Sequence, residues 1–198
     1  MKNHSIQIER SKQRLIWKSL LSFNMQEIST DWFSKKLESP YKYVIAVDSD
    51  RLYFLGKYNS APWCQTHHKQ GQFVEKLRDF DVVELFLLSG DRYQEFNVSP
   101  VGAWWVCTFS GYRKAESVPQ PIKSVDIFSE IDSSGWRAGF SIDLKDISVG
   151  WGETQPLISV TSIIGNPQIF IASNPVPGIK PDFHHKRNFV KGQFRDIA

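Results

Sequence analysis

Residues Asp79 to Trp105 read DFDVVELFLLSGDRYQEFNVSPVGAWW, and this stretch decides the fold. Val82 to Leu88 is rich in β-branched and bulky apolar residues and is too short for a typical helix. Ser89-Gly90-Asp91-Arg92 carries a turn signal. Tyr93 to Ser99 then alternates, and Pro100 and Gly102 close the run. With Ser89 to Arg92 as the loop, Leu88 faces Tyr93, Phe86 faces Glu95 and Glu84 faces Asn97. Side chains along a strand alternate between its two faces. One face therefore holds Val83, Leu85, Leu87, Phe96 and Val98, which makes it a core face. The other holds Glu84, Phe86, Tyr93, Glu95 and Asn97. A slip by one residue would mix the two sets, and the apolar pattern argues against it.

The second face groups two carboxylates, an amide and two aromatic rings. That mixture suits a sugar. Aromatic faces pack on the apolar C–H faces of a pyranose, while Glu and Asn exchange hydrogen bonds with hydroxyls. A structural role is the alternative: Glu84 and Asn97 can satisfy each other and nearby loop backbone.

A chain of 198 residues is long enough for one domain with a full core, and residues 1–198 read as a single unit. A hydrophobic share of 41% beside 23% charged residues describes a soluble globular protein. Aromatic residues reach 14% and include seven Trp, which suits either an all-β core or a stacking site. The net charge of +3 comes without a long basic block, which speaks against nucleic acid as the partner. The opening stretch is charged to Arg14, and Leu15 to Phe23 is interrupted by Lys18, too short for a membrane span and without a cleavage site. Cys64 and Cys107 make no disulfide framework, so a reducing, cytoplasmic setting is expected.

Outward from the central hairpin, the signals are those of short strands. Ile6 and Ile8 can open one, whereas Ser11 to Leu21 lacks clean helical periodicity. Tyr41 to Asp48 and Arg51 to Leu55 are joined by an Asp48–Asp50 turn. Gly56 to Phe80 is a long polar connection able to fold over one end of the sheet. Ala103 to Phe109 is a strand with Trp104 and Trp105 on opposite faces, and Gly111 to Pro121 a loop. Val125 to Ile131 and Trp136 to Ile142 form a second hairpin, followed by at most a helical turn at Asp143 to Ile147. Leu157 to Ile164 and Gln168 to Ala172 are late strands, and the following NPVPGIKPDFHHKRNF reads as a Pro-rich loop. This pattern predicts an all-β domain, a two-sheet antiparallel β-sandwich of jelly-roll or immunoglobulin-like type with little helix.

The stretches VVELFLL, SGDRYQEFNVSP and GAWW together resemble the carbohydrate-binding module family 9-like domains, within the wider DOMON-like β-sandwiches. YVIAVDSDRLYF before them, GWRAGFSIDLKDI after them and DFHHKRNF near residue 190 agree in order, so the resemblance spans roughly residues 40 to 190. It implies a sandwich with a concave sugar-binding face. It also implies a sugar contact at Glu84, with Glu95 and Asn97 in place of the family's Gln/Arg pair. The two Trp residues that sandwich sugar in the family correspond to Arg78 and Ala172 here. Trp63, Trp104 and Trp105 are the candidates to take over their role.

The expected function is therefore non-catalytic recognition of a small saccharide or similar polyhydroxylated ligand, with no nucleic-acid or membrane partner. Glu84, Glu95 and Asn97 form the hydrogen-bonding group, with Trp104, Tyr93 and Trp63 as stacking surfaces. Two alternatives remain open. One is a structural or protein-interaction domain that has lost the sugar site. The other is a small glycoside hydrolase using Glu84 and Glu95, diagonal neighbours with Cβ atoms about 7–8 Å apart. Cys64, His67, His68, His184 and His185 complete no zinc pattern. Met1 and Met25 are poorly placed for the haem seen in some DOMON-like domains. No cofactor is expected, apart from calcium at Asp48 and Asp50, which some family members suggest.

Overall fold

The computed structural model describes residues 5–149, 151 and 156–197. In chain order the strands are β1 (Ile6–Ser11), β2 (Gln26–Thr30), β3 (Lys36–Val47), β4 (Arg51–Tyr58), β5 (Val82–Ser89), β6 (Arg92–Val98), β7 (Trp104–Gly111), β8 (Lys114–Ala115), β9 (Asp126–Asp132), β10 (Gly135–Asp143), β11 (Leu157–Ile164), β12 (Ile169–Ala172) and β13 (Val190–Ile197). Among the described residues helix is confined to α1 (Trp17–Leu21) and three 3-10 turns. The all-β expectation holds.

Local chemistry sets the hairpins. Asp48 Oδ1 accepts from the Asp50 and Arg51 amides at 2.9 and 2.8 Å, and this turns β3 into β4. Gly90 at φ 62° supplies the left-handed residue that a two-residue hairpin loop needs between β5 and β6. The β5–β6 register is the expected one, with Glu84 opposite Asn97, Phe86 opposite Glu95 and Leu88 opposite Tyr93.

All 13 strands belong to one hydrogen-bonded sheet, in the order β8-β7-β6-β5-β11-β13-β1-β3-β4-β10-β9, with β12 on β11 and β2 on β3. This corrects the expectation of two separate antiparallel sheets. The sheet curls so that the apolar faces of its two halves meet. Phe96 of β6 stacks on Phe140 of β10 at 4.5 Å and 17°. Val83, Leu85, Leu87, Phe96 and Val98 all lie in this core, as the alternation requires. The halves are joined by β13, which runs antiparallel to β11 and parallel to β1, while β1 is also parallel to β3.

The Pro-rich reading stopped short of β13 because Val190–Ile197 has few apolar residues. At its centre, Gly192 has no side chain, and Ile8 and Ile158 close over it. Gly111 to Pro121 likewise contains the two-residue β8. The long connection after β4 is tied to β7: the Val74 amide donates to Trp104 O and the Trp104 amide to Gln72 O, both at 2.9 Å. No helix among the described residues is long and apolar enough to cross a membrane.

Candidate functional site

The outer face of β5, β6 and β7 is not an open surface. Segment 182–189 lies across it and delivers Phe183, His184 and Phe189 into a second apolar cluster with Phe86, Tyr93 and Phe109. Asp182 holds this segment down. Its carboxylate accepts from Tyr112 Oη at 2.9 Å, from Arg113 at 3.0 Å and from the His184 amide at 3.2 Å. What remains uncovered is a cleft of about 420 Å³, a size typical of small-ligand sites. Glu95, Asn97, Cys107 and Phe109 form its buried floor, and Trp105 and His184 its half-buried walls.

The exposed rim includes Lys76, Arg78 and Arg113. Lys76 at φ 64° turns the chain into the 3-10 turn Leu77–Asp79. Leu77 is buried in the second cluster, and Gln168 Nε2 donates to Arg78 O at 2.9 Å. The turn therefore plants Arg78 beside the cleft. Arg113 sits in the β7–β8 turn at φ 54°, its amide donating to Tyr93 Oη at 3.0 Å. Non-glycine residues in this conformation are strained, and such strain concentrates at functional positions.

The floor is polar and incompletely satisfied. Asn97 Nδ2 donates to Glu95 Oε1 at 2.9 Å. Asn97 Oδ1 and Trp105 Nε1 are both buried without a hydrogen-bond partner. Tyr93 Oη lies 2.8 Å from His184 Nδ1. Tyr93 Oη also accepts from the Arg113 amide, and His184 Nε2 lies 3.9 Å from Glu95 Oε2. Burial pushes His184 down to about 4, helped by the Arg113 charge, so the ring is neutral near pH 7. The Glu95 carboxyl is pushed up by burial, against the opposing pull of Asn97, Arg78 and Arg113. Glu84 is pushed up by burial and then by the Glu95 charge.

The expected site residues separate in space. Glu95 and Asn97 line the cleft. Glu84 is only 2% exposed, takes a hydrogen bond from Thr161 Oγ1 at 2.5 Å, and does not reach the cleft wall. It does not pair with Asn97 either. Tyr93 is buried beneath the cleft, stacked on Phe109 at 4.6 Å and 9°. Trp104 belongs to the core on the other face of β7, edge-on to Phe73. Trp63 lies away from the cleft, 47% exposed and beside Phe80.

Trp105 takes the place expected of Trp104. It pairs with Asn97 across β6 and β7, so it shares that residue's face, a signal available from the alternation once the β6–β7 register is known. Of the family Trp positions, Arg78 lines the cleft and Ala172 is buried in the second cluster. Arg113 and His184 carried no sequence signal for this site.

Other chemistry finds less support. A carboxylate pair that cleaves a glycosidic bond must flank it, and Glu84 lies behind the wall. The calcium expectation meets an occupied carboxylate: Asp48 Oδ2 accepts from the Leu15 amide and Tyr53 Oη, and Oδ1 from two further amides. Its lone pairs are spoken for by protein donors, a poor fit to a metal. Among the described residues no group of three or more His, Cys, Asp and Glu is arranged to hold a metal ion. His185 Nδ1 accepts from the Arg187 amide, and Met25 packs beside the small cluster under α1. Met1 lies outside the described residues.

No family model and no curated protein sequence matches the chain. Solved structures do. An inferred carbohydrate-binding protein from Bacteroides uniformis matches with a TM-score of 0.72 at 13% identity, over 97% of this chain and 99% of that one. A carbohydrate-binding module of family 9 from Caldicellulosiruptor kristjanssonii, in complex with glucose, matches with a TM-score of 0.58 at 12% identity, over 97% of each chain. The family 9 module from that organism in complex with cellotriose matches with a TM-score of 0.60 at 11% identity, over 97% of this chain and 95% of that one. The chain has a fold like that of carbohydrate-binding module family 9.

Proposed function

We propose that this domain binds a small saccharide, without cleaving it, in the cleft over Glu95, Asn97 and Trp105. The observation that carries this reading is that two residues lining the cleft each hold a buried polar atom without a partner: the acceptor Asn97 Oδ1 and the donor Trp105 Nε1. Leaving such groups unmade costs about 1–3 kcal/mol each. A hydroxyl both donates and accepts, so neighbouring hydroxyls of one sugar ring are able to satisfy both atoms. Glu95, whose titration burial raises, adds a further hydrogen-bonding carboxyl to the same floor. The glucose and cellotriose bound by structural neighbours support this ligand class.

Calorimetric titration with mono- and disaccharides tests the reading. Binding is expected for at least one sugar, and Asn97→Ala should abolish it with the circular dichroism spectrum unchanged. Binding that survives Asn97→Ala would move the site elsewhere. Silence across the panel would favour a structural or interaction domain, a reading supported by the burial of Glu84 and by segment 182–189 covering much of the face.

A further inference from the structure

The polar floor accounts for hydroxyl groups, but the rim has a different character. Arg78, Lys76 and Arg113 all border the cleft, against Glu75 as the acidic side chain of the exposed rim. Arg113 is already engaged by Asp182 at 3.0 Å. Arg78 and Lys76 have no ion pair or side-chain hydrogen bond among the described residues. Arg78 is exposed, and it lines the same cleft as Glu95 and His184.

The groups below make no ion pair with it. Burial raises the titration of both Glu95 and Glu84, and His184 is neutral. The cleft thus presents hydroxyl-matching groups at its floor and an unanswered planar cation at its edge. A guanidinium offers parallel N–H donors spaced for the two oxygens of a carboxylate or phosphate.

We infer that the preferred ligand is an acidic saccharide, with its hydroxyls on Asn97, Trp105 and Glu95 and its carboxylate or phosphate on Arg78, flanked by Lys76. This rests on the saccharide reading above and narrows its substrate class. It also gives a physical role to an exposed, unpaired arginine at the edge of the cleft.

The test is a titration with glucose, glucuronic acid, glucose 6-phosphate and inorganic phosphate, at low and high salt, on the wild-type protein and on Arg78→Ala. Arg78 is exposed, so the variant should fold. At least one acidic sugar should bind about tenfold tighter than glucose, the factor carried by one charge-assisted contact. That advantage should vanish in Arg78→Ala, the acidic sugars falling to the affinity of glucose, and it should shrink with salt. Whichever of glucuronic acid and glucose 6-phosphate binds tighter identifies the anionic group. Equal binding of glucose and both acidic sugars would overturn the inference and leave the saccharide reading standing. Binding of inorganic phosphate as tightly as the acidic sugars would overturn it in favour of a bare anion site. No binding by any of the sugars would overturn both.

Discussion

Asn97 stands directly opposite Glu84 across β5 and β6, yet the two do not serve each other. The Asn97 amide donates to Glu95, two residues back on its own strand, and Glu84 takes its hydrogen bond from Thr161 of β11. The two buried carboxyls are thus held by different donors. One borders the cleft and the other lies within the sheet face, so they can be varied separately.

Glu84 makes stability depend on pH in an unusual direction. Its folded-state titration is raised, chiefly by burial. The folded protein therefore keeps a proton that the unfolded chain releases at about pH 4. The stability contributed this way is full below the unfolded value and is lost as pH rises through the raised folded value. Glu84→Gln keeps an acceptor for Thr161 and removes the titration. In urea denaturation it should gain on the wild type between about pH 5 and about pH 8, with most of the gain at the upper end. Parallel curves for the two proteins would contradict the assignment.

Phe96→Ala should destabilise the protein by about 3–5 kcal/mol, the range for emptying a buried aromatic site. Phe96 is 1% exposed and stacked on Phe140 of the opposite half-sheet. A loss under 1 kcal/mol in chemical denaturation would mean that the halves do not meet there.

Tyr93→Phe removes one hydroxyl and strands two partners, His184 Nδ1 and the Arg113 amide. A cost of about 1–3 kcal/mol is expected. The His184 ring resonances should also shift, because the hydroxyl hydrogen-bonded to its Nδ1 is gone. Unchanged resonances would show that the bond does not form in solution.

Affinity for neutral sugars should be weak. Ala172 is buried and Arg78 is not aromatic, so neither supplies a stacking ring. A dissociation constant in the millimolar range, about 4 kcal/mol, is expected for glucose. Micromolar binding of glucose by calorimetry would require an aromatic contact at some other surface.

The register of β5 and β6 was legible in the sequence because five apolar residues mark one face, so a slip would carry buried volume. Glu95 and Asn97 followed from that alternation. The identity of the wall residues did not. Trp105 rather than Trp104 depends on how β7 pairs with β6, and the intervening turn hides that register. Arg78 reaches the cleft through a left-handed residue at Lys76, which a lysine gives no reason to expect. Arg113 and His184 both reach the cleft, each bonded to Asp182, which ties together two loops far apart in sequence. The strand that joins the two halves of the sheet, Val190–Ile197, was not legible either, because its mixed polarity is held by its two neighbours more than by its own composition.

That strand also has a consequence in time. The hairpins β3–β4, β5–β6 and β9–β10 join neighbours in sequence and can form as each emerges from the ribosome. The partner of Ile6 is Gly192, so the closure of the sheet waits until nearly all of the described chain has been made. Long-range pairing of this kind is slow, because the intervening chain must be brought to order first. Meanwhile β1 and part of β11 each offer an unpaired row of backbone groups that another nascent chain can occupy. The rate of translation thus sets how long the growing protein stays open to misassembly, and docking of β13 ends that interval.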